Sequence, residues 1–176
     1  MNLLERAAAI GIQGFLHSSE LEQLCDLACG KNVLEVGSFM GLSAWGMAIT
    51  ANSLWCVDTF SANSAGQQQM RNLTTLDPFL QATRRYKYVS HFIGTSEQAA
   101  QVPHIPQEFD MIFLDAMHTY NDVKDDMERW WPRLVNGGVF AFHDYGHGDF
   151  AGVKQAVDER FGQLQNVVVT LGWLIK

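Results

Sequence analysis

Two histidines and two aspartates have the types and positions needed for proton transfer or metal binding. Asp115 ends the apolar run DMIFLD, and His118 follows three residues later. His143 and Asp144 together end the apolar run GGVFAFHD. An imidazole with an ordinary pKa of about 6.5 can accept a proton near neutral pH, and converging carboxylates can bind a divalent cation. The sequence therefore predicts His118 and Asp115 as catalytic residues and Asp115, His143 and Asp144 as metal ligands.

Each of these assignments has a structural alternative. His118 could be a loop histidine held only by hydrogen bonds, and His143 and Asp144 could bond to loop backbone and to each other. Mg or Mn is the expected metal, although an imidazole ligand suits Mn, Fe or Zn better than Mg, which prefers hard oxygen ligands. His147 is expected to be an ordinary loop residue.

A second candidate site lies in residues 33–44, VLEVGSFMGLSA. A dinucleotide fold needs G-x-G-x-x-G so that the backbone can approach a pyrophosphate, but here Glu35 takes the place of the first glycine. A carboxylate at that point repels a pyrophosphate and favours a cation, such as the ammonium or sulfonium of S-adenosylmethionine. We therefore predict that Glu35, Gly37, Ser38 and Gly41 bind this cofactor, although isolated glycines also occur in plain tight turns.

A carboxylate that could hold a ribose follows the next apolar run. Asp58 lies 21 residues after Gly37 and is followed by Thr59. Its oxygens can accept hydrogen bonds from both ribose hydroxyls of an adenosine. We predict that Asp58 and Thr59 contact the cofactor; the alternative is that Asp58 caps the turn that follows it.

The elements that must position these residues alternate between strands and helices. This order predicts an α/β fold with a mainly parallel sheet covered on both faces, and ligands of such sheets gather at the carboxyl ends of the strands. The predicted strands are 33–36, 54–58, 88–94, 110–115 and 137–144, with two short ones around Leu171-Gly172, and the predicted helices are 18–30, 42–50, 78–85, 121–134 and 152–161.

The length and net charge of the chain limit the classes of protein to which it could belong. The 176 residues suit a single domain over 1–176, and the net charge of −7 disfavours binding to nucleic acid. We find neither a signal peptide nor an apolar run of the roughly 18 residues that cross a membrane. The three cysteines form no zinc-like pattern, so we expect reduced thiols and a cytoplasmic location.

Several consecutive stretches resemble the class I S-adenosylmethionine-dependent methyltransferases. Within that superfamily the chain resembles small-molecule O-methyltransferases, the group that includes macrolide sugar methyltransferases and relatives of cephalosporin hydroxylase. The resemblance implies a Rossmann-like fold with a mainly parallel seven-stranded sheet, helices on both faces and an antiparallel C-terminal strand. The matching stretches cover most of residues 14–158 and are GFLHSSE, VLEVGSFMGLSAWGMA, WCVDTF, IGTSEQAA, FDMIFLDAMHTYNDVKDDMERWWPRLVNGGVFAFHDYG and GVKQAVDE.

The resemblance also implies roles for individual residues. Glu35 and Gly37 would hold the methionine end of the cofactor and Asp58 the ribose. The similar sugar O-methyltransferases use a histidine at the position of His118. Metal-dependent relatives carry an acidic pair where this chain has His143-Asp144, which leaves the metal open. The adenine pocket would be lined by Gly94, Thr95 and Ser96.

The expected activity is methylation of a hydroxyl group on a sugar or another secondary metabolite. The alternatives are a hydroxylase-related or NAD-dependent enzyme and a non-catalytic module that binds S-adenosylmethionine. Only residues 1–17, 61–80 and 145–151 remain to shape an acceptor pocket, so a homo-oligomer could complete it. No membrane partner is expected.

Overall fold

A seven-stranded sheet forms the centre of the structure, a computed structural model that describes residues 1–61 and 74–176. The strand order is β3-β2-β1-β4-β5-β7-β6. The first five of these pair in parallel, and β7 runs antiparallel to both β5 and β6. This confirms the predicted sheet with its reversed C-terminal strand. The strands are β1 (Asn32–Val36), β2 (Ser53–Asp58), β3 (Val89–Ile93), β4 (Phe109–Leu114), β5 (Leu134–Phe142), β6 (Asn166–Val168) and β7 (Leu171–Ile175).

Helices cover both faces of the sheet. The first four contribute to the apolar cluster on one face, and the last three contribute to the cluster on the other. No helix among residues 1–61 and 74–176 has the length and apolar character needed to cross a bilayer. The helices are α1 (Leu3–Ala9), α2 (Ser18–Leu27), α3 (Leu42–Ala48), α4 (Leu76–Thr83), α5 (Ser96–Ala100), α6 (Tyr120–Trp130) and α7 (Ala151–Phe161).

The central strands are apolar on both sides because both sides are covered. In β4, Met111 and Phe113 pack into the first cluster, whereas Ile112 and Leu114 pack into the second. Side chains alternate between the faces of a strand, so a continuous apolar run fills both layers. This explains why short apolar runs, and not alternating ones, marked the strands in the sequence.

Several element boundaries differ from the prediction; for example, β5 begins at Leu134 and not at residue 137, and α6 ends at Trp130 and not at residue 134. Helix α4 begins two residues before the predicted start, because Pro78 occupies the first turn, where no helical partner for its nitrogen is needed. The hairpin between β6 and β7 turns at Val169-Thr170, and Leu171-Gly172 already belongs to β7. Of the predicted pocket segment 61–80, residues 62–73 lie outside the described part of the chain.

The turn after β1 contacts the end of the neighbouring strand β4. Gly37 has φ of 93°, a left-handed conformation that favours glycine. A β-carbon at Gly37 would lie 2.1 Å from the carbonyl oxygen of Asp115. Only a residue without a side chain fits here, and this contact sets the turn directly beside Asp115.

We predict that Gly37→Ala destabilises the protein by roughly 3 kcal/mol or more, because left-handed strain adds to a clash with the Asp115 backbone. Gly30→Ala is the matched control: Gly30 has φ of 68°, but a β-carbon there meets nothing within 4 Å. Strain alone should cost the control about 1 kcal/mol. Urea unfolding of both variants measures the difference, and equal losses would contradict the role of the Asp115 contact.

Candidate active site

A cavity of about 910 Å³ opens at the carboxyl ends of the parallel strands. Its size lies at the upper end of the roughly 300–1,000 Å³ found for small-molecule sites. The cavity is also lined by the segment before α2 and by the turn between β6 and β7. The predicted site residues that line it are Gly37, Ser38, Asp58, Thr59, Gly94, Thr95, Ser96, Asp115, His118, His143 and Asp144.

Glu35 and Gly41 are the two predicted cofactor residues that do not line the cavity. The Glu35 side chain is fully buried and accepts hydrogen bonds from the hydroxyls of Ser38 and Ser43. Burial raises the pKa of Glu35 to about 7, although these hydroxyls favour the charged form. Glu35 therefore supports the turn and the start of α3 from beneath, which differs from the predicted contact with the methionine end. Gly41 serves as the left-handed residue before α3, with φ of 89°.

Asp58 joins the end of β2 to the turn after β1. Its Oδ2 accepts hydrogen bonds from the backbone amides of Ser38 at 2.7 Å and Phe39 at 2.8 Å. Its Oδ1 accepts one from the amide of Phe60 at 2.6 Å. The capping alternative is thus present in the structure. A carboxylate offers about four acceptor positions, so one remains for a ribose hydroxyl.

The predicted adenine side is built on α5 and α6. Thr95 caps α5, and the Ser96 hydroxyl donates to Asp126. The Trp130 indole nitrogen donates to the same hydroxyl at 2.8 Å, and Arg129 pairs with Asp126 at 2.7 Å. Trp130 is fully buried. This network fixes the wall on which an adenine could lie.

His118 lies between the carboxylates that end β4 and β5. Its Nε2 is 3.0 Å from Oδ2 of Asp144 and 3.6 Å from Oδ1 of Asp115. This nitrogen is buried, yet it has no hydrogen-bond partner of good geometry. The ring stacks on Phe150, with the centroids 4.3 Å apart. These three side chains form an ion-pair cluster when His118 is protonated, and when it is neutral their nitrogen and oxygens form a donor set that suits a divalent cation.

The histidine in this donor set differs from the predicted one. One ligand atom from each of Asp115, His118 and Asp144 lies within 4.8 Å of the others. His143 instead points Nε2 towards Glu20, at 3.4 Å, and Nδ1 towards Asp115 and Asp144, at 3.4 and 3.3 Å. His143 does not belong to the three-residue group of converging ligand atoms, and its predicted ligation of a metal stays a prediction.

Asp144 reaches this position through an uncommon backbone conformation. Its φ of 56° is left-handed, which aspartate tolerates better than most residues. The sharp bend directly after β5 places Oδ2 close to both histidines. Strain of this kind is concentrated at functional sites.

The carboxylates and imidazoles perturb one another. Burial disfavours the charged form of His118, but Asp115 and Asp144 outweigh it and raise the pKa of His118 to about 9. His143 is also buried, yet the carboxylates around it raise its pKa to about 12. Burial acts against ionised Asp115 and Asp144 as well, and the two histidines still hold their pKa values below the usual range.

Glu20 completes the charge cluster and was missed in the sequence. It is 2% exposed, and its Oε1 accepts hydrogen bonds from the amide and hydroxyl of Thr170, each at 2.8 Å. Its Oε2 accepts from the His17 amide at 2.8 Å and faces His143. The sequence showed only an acidic residue in the first turn of α2, and nothing there indicated a contact with residues more than 120 positions away.

The fold and this site define a class I methyltransferase. A family model described as a methyltransferase domain matches residues 34–145, so the chain belongs to this methyltransferase family. The resemblance found in the sequence is thereby confirmed, as is the assignment of an S-adenosylmethionine-dependent enzyme. A search of curated proteins finds no match.

Solved structures share the fold at low sequence identity. A Staphylococcus aureus protein provisionally named a caffeoyl-CoA O-methyltransferase is 19% identical, with a TM-score of 0.69 over 99% of this chain and 90% of that one. An O-methyltransferase from Bacillus cereus in complex with SAH is 16% identical, with a TM-score of 0.66 over 99% and 89%. A TDP-rhamnose 3'-O-methyltransferase of calicheamicin biosynthesis is 15% identical, with a TM-score of 0.60 over 89% and 77%.

Glu20 should make the stability of the protein depend on pH. Burial raises the pKa of Glu20, but hydrogen bonds from His143, His17 and Thr170 outweigh it and lower the pKa from 4.5 to about 2. The ionised form therefore stabilises the fold above about pH 5, and this contribution is lost as the pH falls towards 2. We predict that Glu20→Gln lowers the free energy of unfolding by about 2 kcal/mol at pH 7, and that the deficit narrows between pH 5 and 3.

Urea unfolding across this pH range tests the prediction. Glu22→Gln is the matched control, since Glu22 is exposed on the same helix, and it should leave the free energy of unfolding nearly unchanged. Asp115 and Asp144 face the same His143 imidazole as Glu20 does. The quantity to compare at each pH is therefore the difference in the free energy of unfolding between the variant and the wild type. A deficit that stays constant with pH would contradict the assignment.

Proposed function

We propose that this chain transfers a methyl group from S-adenosylmethionine to a hydroxyl oxygen of a small molecule. The observation that carries the proposal is that one cavity contains two groups of residues. The first is Gly37 with Asp58, and the second is His118 with Asp144. The first of these suits a nucleoside, and the second suits a hydroxyl group that must lose its proton. A site with both groups can hold donor and acceptor side by side.

The charge of the residues that line the cavity supports this cofactor. S-adenosylmethionine bears an ammonium, a sulfonium and one carboxylate, so its net positive charge suits an acidic cavity. Gly37 and Ser38 would hold the methionine end, Asp58 the ribose, and Thr95 and Ser96 the adenine. When bound, the cofactor supplies a methyl carbon activated by the positive sulfur.

His118 would accept the hydroxyl proton. When an oxygen gains a methyl group, its O–H bond must break, and a base near the acceptor lowers the barrier. His118 lines the cavity, while stacking on Phe150 and the proximity of Asp144 fix the ring. The proton would end on Nε2, so His118 must first be neutral; because its pKa is raised to about 9, the neutral form becomes more abundant, and this step more favourable, as the pH rises towards 9.

A divalent metal would use the same three side chains. Asp115, His118 and Asp144 offer two oxygens and one nitrogen, a set that suits Mn better than Mg. A bound cation lowers the pKa of a coordinated hydroxyl. Nε2 of His118 cannot bind a metal and accept a proton at once, so removal of His118 separates the two assignments: metal affinity falls if it is a ligand and persists if it is the base.

Glu35 argues against the NAD-dependent alternative. It fills the place of the first glycine of a dinucleotide turn, and its carboxylate lies buried beneath the turn. A non-catalytic binding module would retain the nucleoside side of the cavity but would have no need of His118. A hydroxylase-related activity has no feature of the described residues in its favour.

Binding of S-adenosylhomocysteine tests the proposal directly. Calorimetry should detect it with the wild type, whereas NAD should not bind. Asp58→Asn should weaken binding roughly tenfold or more, because it replaces a charged acceptor. Asp26→Asn, an exposed change on α2, should have no effect. Unfolding curves must show that Asp58→Asn is folded, and NAD binding without S-adenosylhomocysteine binding would refute the proposal.

The protonation of His118 gives an independent prediction. Its pKa, measured by NMR titration of labelled histidine and assigned with His118→Gln, should lie near 9. Asp144→Asn and added Mg²⁺ should each lower the pKa of His118, since the substitution removes a negative charge beside the ring and the cation offsets one. His118 should then be neutral, and able to accept a proton, at lower pH. A pKa near 6.5 that neither change affects would contradict the role of the carboxylates.

A further inference from the structure

The face of α6 that lines the cavity is polar and mainly acidic. Asp122, Asp125, Asp126 and Arg129 are related by the three- and four-residue spacings that place helical side chains on one face, and all four line the cavity. Asp126 is the buried member of this set, at 7% exposed, whereas Asp125 is exposed. A buried carboxylate that lines a cavity can distinguish ligands by the hydrogen-bond donors that they offer.

The protein uses only one oxygen of the Asp126 carboxylate. Oδ1 accepts hydrogen bonds from the Ser96 hydroxyl and from Nη1 of Arg129, the latter at 2.7 Å. No donor within the described part of the chain reaches Oδ2. This oxygen is also open to solvent, because the enclosed polar side-chain atoms without a partner in that part are Trp45 Nε1 and His118 Nε2. Oδ2 of Asp126 is therefore an unused acceptor at the cavity.

A further donor on Oδ2 would stabilise this carboxylate. Burial raises the pKa of Asp126, although the bonds from Ser96 and Arg129 favour its charged form. A ligand group that donates to Oδ2 would offset part of the cost of burying the charge. The wall around Asp126 therefore favours a ligand with a hydrogen-bond donor at this point.

The Ser96 hydroxyl, in contrast, has no bonding capacity left. It donates to Asp126 and accepts from the Trp130 indole nitrogen at 2.8 Å and from Nη1 of Arg129 at 3.3 Å. A hydroxyl has one proton to donate and two positions at which it accepts. Ser96 can therefore contact an adenine but cannot bond to its amino group through the hydroxyl. Thr95 is exposed and already accepts a backbone amide of α5, so Asp126 is the buried acceptor in direct contact with the predicted adenine wall.

From these contacts we infer that Asp126 accepts a hydrogen bond from the exocyclic amino group of the adenine and thereby makes the site selective for an adenine nucleoside. The inference rests on the proposed function and deepens it, because it assigns a residue that recognises the base of the cofactor. An oxo group in place of the amino group would set a second acceptor against the carboxylate. Sites built to bond a donor strongly reject analogues that lack it.

Two nucleosides that differ at the amino edge of the base test the inference. S-inosylhomocysteine is S-adenosylhomocysteine with a 6-oxo group in place of the 6-amino group and a proton on N1. Calorimetry on the wild type should show S-adenosylhomocysteine bound roughly tenfold or more tighter, as expected when a hydrogen bond to a charged group is lost. Similar affinities for the two would overturn the inference without any variant. Failure of S-adenosylhomocysteine itself to bind would instead refute the proposed function.

Variants attribute this preference to one residue. Asp126→Asn should reduce the preference to roughly threefold or less, because an amide can donate to an oxo group as well as accept from an amino group. The ratio of the two affinities is the quantity to compare, since a loosened wall weakens both ligands alike.

Two control variants separate the carboxylate from its surroundings. Asp125→Asn removes an adjacent, exposed carboxylate of the same cavity and should leave the ratio unchanged. Ser96→Ala breaks the bonds around Asp126 but keeps its carboxylate, so it should weaken both ligands alike and retain the ratio. An unchanged preference in Asp126→Asn, or a preference lost equally in either control, would overturn the inference.

Discussion

Negative charge buried at one edge of the sheet governs how this protein is built. The parallel strands end together, so the carboxylates that follow them are brought close to one another, and each needs proton donors in place of water. Glu35 receives two serine hydroxyls, Asp58 receives three backbone amides, and Glu20, Asp115 and Asp144 share His143. Some of these partners are local in sequence, such as Ser38 for Glu35, whereas others are distant, such as the amides of Ser38 and Phe39 for Asp58 and His143 for Glu20. The bonds that stabilise the charges therefore also fix the turns that form the cavity.

The fold could be predicted because its signals are local. Apolar runs of five or six residues, each followed by a helix, indicate a parallel sheet wherever they occur. The element boundaries that differ from the prediction depend on backbone conformation and on helix capping, which a hydrophobic pattern does not encode. Val169 adopts a left-handed φ of 55°, which a β-branched residue disfavours, so the sequence offered no turn signal there. Helix α1 is seven residues long and is held by an Asn2–Glu5 capping box, too short to stand out by periodicity.

The sequence predicted those site residues whose positions are set by the end of a strand. Asp58, Asp115 and Asp144 lie at the cavity because each stands at or within two residues of the end of a parallel strand. Which histidine completes the group of converging ligand atoms could not be deduced, since it depends on the left-handed bend at Asp144 and on Glu20, which faces Nε2 of His143. Glu35 was expected at the cofactor because its charge suits a cation, whereas Ser38 and Ser43 hold it beneath the turn. Side-chain partners contributed from other elements decided each of these cases.

A crystal structure of the complex with S-adenosylhomocysteine and Mn²⁺ would test the central claim most directly. The account predicts the ribose beside Asp58, the adenine against Thr95 and Ser96, and the sulfur facing the His118 cluster. An anomalous signal between Asp115 and Asp144 would identify the metal, and its distance to Nε2 would show whether His118 is a ligand. A nucleoside bound elsewhere, or a sulfur directed away from His118, would contradict the proposed transfer to a hydroxyl held at this cluster.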